Sequence, residues 1–129
     1  MIAGIGNDLI SVARVEEMIS KSGEKFINRI FTKIEINQAD ALKNKSNFFA
    51  KRFAAKEAFS KALGLGIGRG VNFLDIEVFN DDFGKPQIRI LNKKEQFVLE
   101  YLKCQKIKIH LSLSDEKNMA MATAIIEAF

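Results

Sequence analysis

The chain has 129 residues, 47% of them apolar, with eleven phenylalanines, no tryptophan and one proline, enough apolar mass for one domain spanning 1–129. Its formal charge is +4, no run approaches the roughly 20 apolar residues of a membrane helix, and the start MIAGIGND, with no basic stretch and an early acid, does not read as a signal peptide. The lone cysteine, Cys104, excludes an internal disulfide and points to a reducing, cytoplasmic setting; with one histidine it also excludes the usual zinc site, so any metal must be a hard cation on carboxylates.

In chain order, IAGIGN at 2–7 reads as a short strand broken by glycines, with Asp8 at its end. Ser11 is an N-cap for a helix reaching about Ile19, and Ser22 for a short one through Ile30. Thr32 with Glu35 forms a capping box opening a helix to about Leu42. Ser46 or Asn47 caps a helix over Phe48–Leu63, which Gly64 closes. FLDIEVF at 73–79 alternates as a half-buried strand, NDDFGK is a turn, and Gln87–Leu91 returns as its partner. Asn92 with Glu95 starts a helix to about Lys103, and Lys106–Leu113 with Met119–Ile126 form a last hairpin. The order predicts an α+β fold with a mainly antiparallel sheet.

Positive charge concentrates in one place. Residues 48–70 carry Lys51, Arg52, Lys56, Lys61 and Arg69 against the single acid Glu57, whereas the flanks are near balance. Such a patch attracts phosphates, nucleic acid or an acidic protein. Ala50, Ala54, Glu57 and Lys61 share one helical stripe, whose small residues admit a close approach by another backbone or a ligand. The following GLGIGRG has four glycines in seven residues, a loop whose N–H groups can converge on an anion. Glu57 and Lys61 also have the order of an ordinary stabilising helix pair, and the loop has no Walker A pattern. Asp8 and Glu57 together suit Mg²⁺, which keeps waters and takes one or two carboxylates plus substrate phosphates. Lys61 and Arg52 would then meet those phosphates.

GIGNDLISVARVEEM, FFAKRFAAKEAFSKALG, and GKP followed by LSLS resemble, in order and over essentially the whole chain, the holo-acyl carrier protein synthase family of small 4′-phosphopantetheinyl transferases. The resemblance implies transfer of phosphopantetheine from coenzyme A to a serine of an acidic apo-acyl carrier protein, releasing adenosine 3′,5′-bisphosphate in support of fatty-acid synthesis. It implies a homotrimer with active sites between subunits and no nucleic-acid or membrane partner. By motif, Asp8 and Glu57 would hold Mg²⁺. Glu57 would also serve as base through a water, and Lys61 would neutralise phosphate charge. Arg52, Lys61, Gly64, Gly66, Lys85, Pro86 and Ser114 would bind coenzyme A. Arg14, helped by Lys21 and Arg29, would dock the carrier protein. One departure stands out: where the family reads S-x-S-H, this chain reads Ser112, Leu113, Ser114, Asp115. An aspartate there repels phosphate unless a lysine such as Lys117 neutralises it, and it is expected to weaken coenzyme A binding. His110, on the preceding strand, reads as structural. Two other readings compete: a family member that has lost catalysis, and a basic module binding nucleic acid through 48–70, which lacks a reader motif.

Overall fold

A computed structural model describes all residues, 1–129. The architecture is α+β, with strands β1 (Ile2–Ser11), β2 (Ile76–Asn80), β3 (Pro86–Ile90), β4 (Ile107–Glu116) and β5 (Met119–Ala128). The helices are α1 (Val12–Ser22), α2 (Glu24–Ile30), α3 (Lys33–Asp40), α4 (Lys45–Leu63) and α5 (Lys94–Leu102). One antiparallel sheet has the order β1-β5-β4, and β2 and β3 form a separate antiparallel hairpin. The chain has no helix long and apolar enough to cross a membrane.

The organising element is α4. It is buried on nearly every side, as a helix must be when alanines and phenylalanines surround it. Ala50, Ala54, Ala58 and Ala62, four residues apart, form a stripe that is almost wholly buried. Against it lies β1. A Cβ at Gly6 would run into the carbonyl oxygen of Ala58, and one at Gly4 into that of Ala62. Glycine on the strand and alanine on the helix therefore permit backbone-to-backbone contact. Of the two approaches the sequence left open at Ala50 and Ala54, a backbone or a ligand, the small face of α4 takes the backbone of β1. The other side of α4 enters an aromatic core, with the tilted rings of Phe49 and Phe31 4.5 Å apart and those of Phe53 and Phe73 5.4 Å apart.

A buried polar knot sits beside that core. Glu35 and Lys56 are both fully buried. Lys56 Nζ donates to Glu35 Oε1 and to the Ile30 carbonyl, each at 2.7 Å, and to the Phe73 carbonyl at 3.1 Å. The Glu35 carboxylate also accepts from Thr32 N (2.9 Å) and Val78 N (2.8 Å). Burial pushes the Lys56 ammonium below its usual pKa, and Glu35 opposes that shift. The pair joins α2, α3, α4 and β2 at one point.

Several boundaries move from their expected places. β1 continues past Asp8 to Ser11, because β5 pairs with it in regular register from Gly4 onward after a shift between Ile2 and Gly4, with Asp8 opposite Ala122. Ser11 caps α1 as expected, but α2 starts after Gly23 (φ 51°) and not on a Ser22 cap. The Thr32–Glu35 capping box forms, with α3 ending at Asp40. The α4 cap is Asn44, accepting from Asn47 N at 3.1 Å, and not Ser46 or Asn47. Phe73–Asp75 form a 3-10 turn ahead of β2, since Asp75 accepts from Asn72 N at 2.9 Å. Asn92 does not cap α5; its amide bonds Asp75 at 2.8 Å and its backbone is left-handed.

Replacing Lys56 with Met leaves Glu35 buried without its cation and is expected to cost roughly 3–5 kcal/mol. The readout is a fall in the urea midpoint at constant m value; an unchanged midpoint contradicts the account.

Candidate functional site

The contact of β1 with α4 brings three predicted residues together. Asp8 points from β1 toward the helix, and Lys61 Nζ donates to its Oδ1 at 3.0 Å and to the Asn7 carbonyl at 3.1 Å. Glu57, one turn before Lys61, is half-buried. Its pKa is raised, first by burial and then by the Asp8 charge, with Lys61 opposing. Two carboxylates close enough for the Asp8 charge to oppose ionisation of Glu57, with one ammonium beside them, carry a net negative charge. That donor set fits a hard divalent cation, although no third carboxylate, His or Cys joins it. Such an ion would take its remaining ligands from water and substrate.

The glycine loop behaves differently from expectation. Gly64 closes α4 in the left-handed region (φ 81°), as foreseen. Its N–H goes to the Lys61 carbonyl at 2.9 Å, that of Gly66 to Ser60 at 3.1 Å, and that of Gly68 to Val71 at 2.9 Å. These donors are consumed inside the chain and do not converge on an anion. Gly66 nonetheless leaves open space where a side chain would stand.

Arg52 lies elsewhere. Nine residues before Lys61, it is roughly 13.5 Å away along the axis and half a turn around it. Its guanidinium covers the Phe48 ring at 4.6 Å, and its Nε is buried with no acceptor. Burial lowers its pKa and Glu35 counteracts this. It lines a cavity of about 310 Å³ with Lys51, Asn80, Gly84, Pro86 and Ser112. Pro86 thus joins Arg52 as predicted. Lys85 is exposed, and its N–H is tied to Asp81 at 2.9 Å. Ser114 lines a third place, a groove with Leu9, Asp115 and Met121. Within one chain the residues expected to bind coenzyme A therefore form three groups, not one pocket. Lys51, Asn80 and Ser112 were not assigned to the site, although Lys51 stood beside Arg52 in the basic stretch and Ser112 opened the S-x-S element.

Asp115 is neutralised, but not by Lys117. Lys51 Nζ lies 3.7 Å from Oδ1, and Asn47 Nδ2 donates to Oδ2 at 3.1 Å. His110 pairs across the sheet with Glu127 at 2.9 Å, a bond that lowers the Glu127 pKa. Arg14, Lys21 and Arg29 are exposed on α1 and α2, and Lys21 is bridged to Glu17 at 2.9 Å.

Residues 4–124 match the model of the 4′-phosphopantetheinyl transferase superfamily. The chain belongs to that superfamily. It is 46% identical over 129 residues to the holo-[acyl-carrier-protein] synthase of Bartonella quintana, covering 99% of this chain and 97% of that protein. The structure of the holo-[acyl-carrier-protein] synthase from Neisseria meningitidis superimposes with a TM-score of 0.88 at 37% identity, over 98% of this chain and 99% of that one. The corresponding protein from Bacillus anthracis, in complex with CoA (3′,5′-ADP), does so with a TM-score of 0.83 at 44% identity, over 100% and 99%. These solved members share the α+β fold described above.

The raised Glu57 pKa has a consequence for stability. Its folded pKa exceeds its unfolded one, so the fold favours the protonated form. That contribution is complete below the unfolded value and is lost as pH rises through the folded one. Glu57→Gln is therefore expected to raise the melting temperature at pH 7 and to lose that advantage near pH 4. An equal difference at both pH values contradicts the assignment.

Proposed function

We propose that this protein transfers the 4′-phosphopantetheine group of coenzyme A to a serine hydroxyl of an apo-acyl carrier protein, giving the holo form and adenosine 3′,5′-bisphosphate. Family membership supports the reaction class, and likeness to synthases, one of them in complex with CoA (3′,5′-ADP), supports the substrates. The observation that carries the reading here is the meeting of Asp8, Glu57 and Lys61 where β1 crosses α4.

Asp8 and Glu57 would hold Mg²⁺ in this reading, and the ion would supply positive charge to the pyrophosphate of coenzyme A. Glu57, half-buried beside Asp8, accepts the serine proton through a water. The serine oxygen bonds to the phosphorus bearing pantetheine, while the bond from that phosphorus to the bridging oxygen breaks. The leaving group departs as the 5′-phosphate of adenosine 3′,5′-bisphosphate. Lys61 meets the charge that grows on the phosphate oxygens. Gly64 and Gly66 give the ligand room beside it. Arg14 docks the acidic carrier protein, with Lys21 and Arg29 adding to the attracting field.

A homotrimer reconciles the separated groups. Arg52, with Pro86 in the same cavity, lies half a turn around α4 and roughly 13.5 Å along it from Lys61, so a nucleotide reaching both would lie between two copies. An outer sheet face supports such assembly: Ile5, Leu9 and Met121 stand 66%, 60% and 38% exposed, with Ser114 in the same face. An apolar surface of this kind calls for a cover. The pairing of Asp115 with Lys51 keeps that acid from opposing phosphate fully, so the enzyme stays active with weakened coenzyme A binding. One unit over 1–129, working in the cytoplasm in fatty-acid synthesis, completes the reading.

The test is intact mass of an apo-acyl carrier protein after incubation with this protein, coenzyme A and Mg²⁺. A gain of one phosphopantetheine group is expected, abolished by chelator and reduced at least ~100-fold in rate by Glu57→Ala. No gain with two different carriers at high coenzyme A overturns the proposal. Asp115→His is expected to lower the KM for coenzyme A without raising kcat.

A further inference from the structure

Lys61 is placed to do something before any phosphate arrives. Its ammonium stands on Asp8 Oδ1 at 3.0 Å and on the Asn7 carbonyl at 3.1 Å, both oxygens of β1. The Asp8 side chain is only 14% exposed, so an ammonium seated there blocks much of its remaining access. The Lys61 side chain is 51% exposed, and its stem is free to swing outward. A compact ammonium on a flexible four-carbon stem is the cationic side chain best suited to changing partners. Glu57 lies one helical turn away, and the Asp8 charge helps raise its pKa. Divalent cation and Lys61 therefore compete for one carboxylate, whose small exposed surface the ammonium already covers in part.

We propose that Lys61 is a built-in competitor for the metal position: it occupies Asp8 in the resting protein and is drawn off by a diphosphate ligand, so that cation and nucleotide load cooperatively. This rests on the coenzyme A reading for the identity of the diphosphate, and on the β1–α4 geometry alone for the competition. Anionic oxygens arriving beside α4 give the ammonium a second partner. Its departure frees Asp8 for the cation, which the same oxygens then help to hold. The order follows from charge. With neither ligand bound, Lys61 neutralises Asp8, and with both bound the metal does so while Lys61 faces phosphate. A metal alone must displace the lysine with nothing to receive it, so it binds weakly. Linkage makes the effect reciprocal: the metal tightens the diphosphate ligand by the same factor.

The experiment is a Mn²⁺ titration followed by electron paramagnetic resonance, on wild type and Lys61→Met, with and without coenzyme A. Lys61→Met alone is expected to bind Mn²⁺ roughly threefold to tenfold more tightly than wild type alone. Coenzyme A is expected to tighten Mn²⁺ on wild type by a larger factor than on Lys61→Met. Arg69→Gln, which removes an exposed cation from the neighbouring loop, separates local competition from net charge and is expected to leave Mn²⁺ affinity within about twofold. Equal or weaker binding by Lys61→Met, or equal tightening by Arg69→Gln, overturns the competition. Carrier-protein transfer by wild type is measured on the same preparation. Transfer without these affinity changes sinks the competition and leaves the enzyme; the affinity changes without transfer sink the enzyme and leave the competition.

Discussion

Everything at the candidate site depends on how closely β1 can approach α4. Gly4 and Gly6 meet the carbonyls of Ala62 and Ala58 with no room for a Cβ between them. That contact needs small residues on both elements, and it brings Asp8 within reach of the helix. A carboxylate on a strand and a Glu-to-Lys pair on a helix are commonplace apart. Brought together, they leave Glu57 with a raised pKa and Lys61 seated on Asp8. The site is thus a product of backbone packing, and its electrostatics follow from that packing.

The remainder of the fold holds α4 from its other sides. The Lys56–Glu35 pair fixes the helix to α2, α3 and β2, while Phe31, Phe49, Phe53 and Phe73 fill the space around it. Lys56 and Glu57 are neighbours in sequence with opposite fates. Lys56 is wholly buried and satisfied by three acceptors; Glu57 is half-open and uneasy in its ionised form. A buried ion pair contributes little net stability against apolar residues, but losing one partner is costly. The pair gives α4 one orientation, and the half-open face beside it is left for chemistry.

Much of this was legible from the residues. Helical spacing put Glu57 and Lys61 on one face, alternation marked the two hairpins, and the capping box at Thr32 announced α3. The failures have identifiable physical causes. Glycines in β1 looked like a break because the helix requiring them lies over fifty residues later. Asn92 looked like a cap, yet Asp75 takes its amide, and no local pattern reveals a partner seventeen residues upstream. Glu35 was visible as a capping residue but not as the counter-ion of Lys56. The glycine loop invited an anion, but the N–H groups of Gly64 and Gly66 are committed to the end of α4 and that of Gly68 to Val71. Arg52 and Lys61 were grouped by charge, whereas helical phase sets them on opposite sides. For β1, Asn92 and Glu35 the deciding partner is distant in sequence; for the glycine loop and Arg52 it is local backbone geometry, which composition does not carry.

The most direct test of the central claim is Mn²⁺ binding by Gly6→Ala, measured by electron paramagnetic resonance on protein whose circular dichroism shows a native fold. If β1–α4 contact creates the site, one methyl group that touches neither carboxylate separates Asp8 from Glu57. Metal affinity then falls at least ~10-fold while the helices and sheet persist. Wild-type affinity in a folded Gly6→Ala protein would contradict the account, because the two carboxylates would then come together without the contact said to place them.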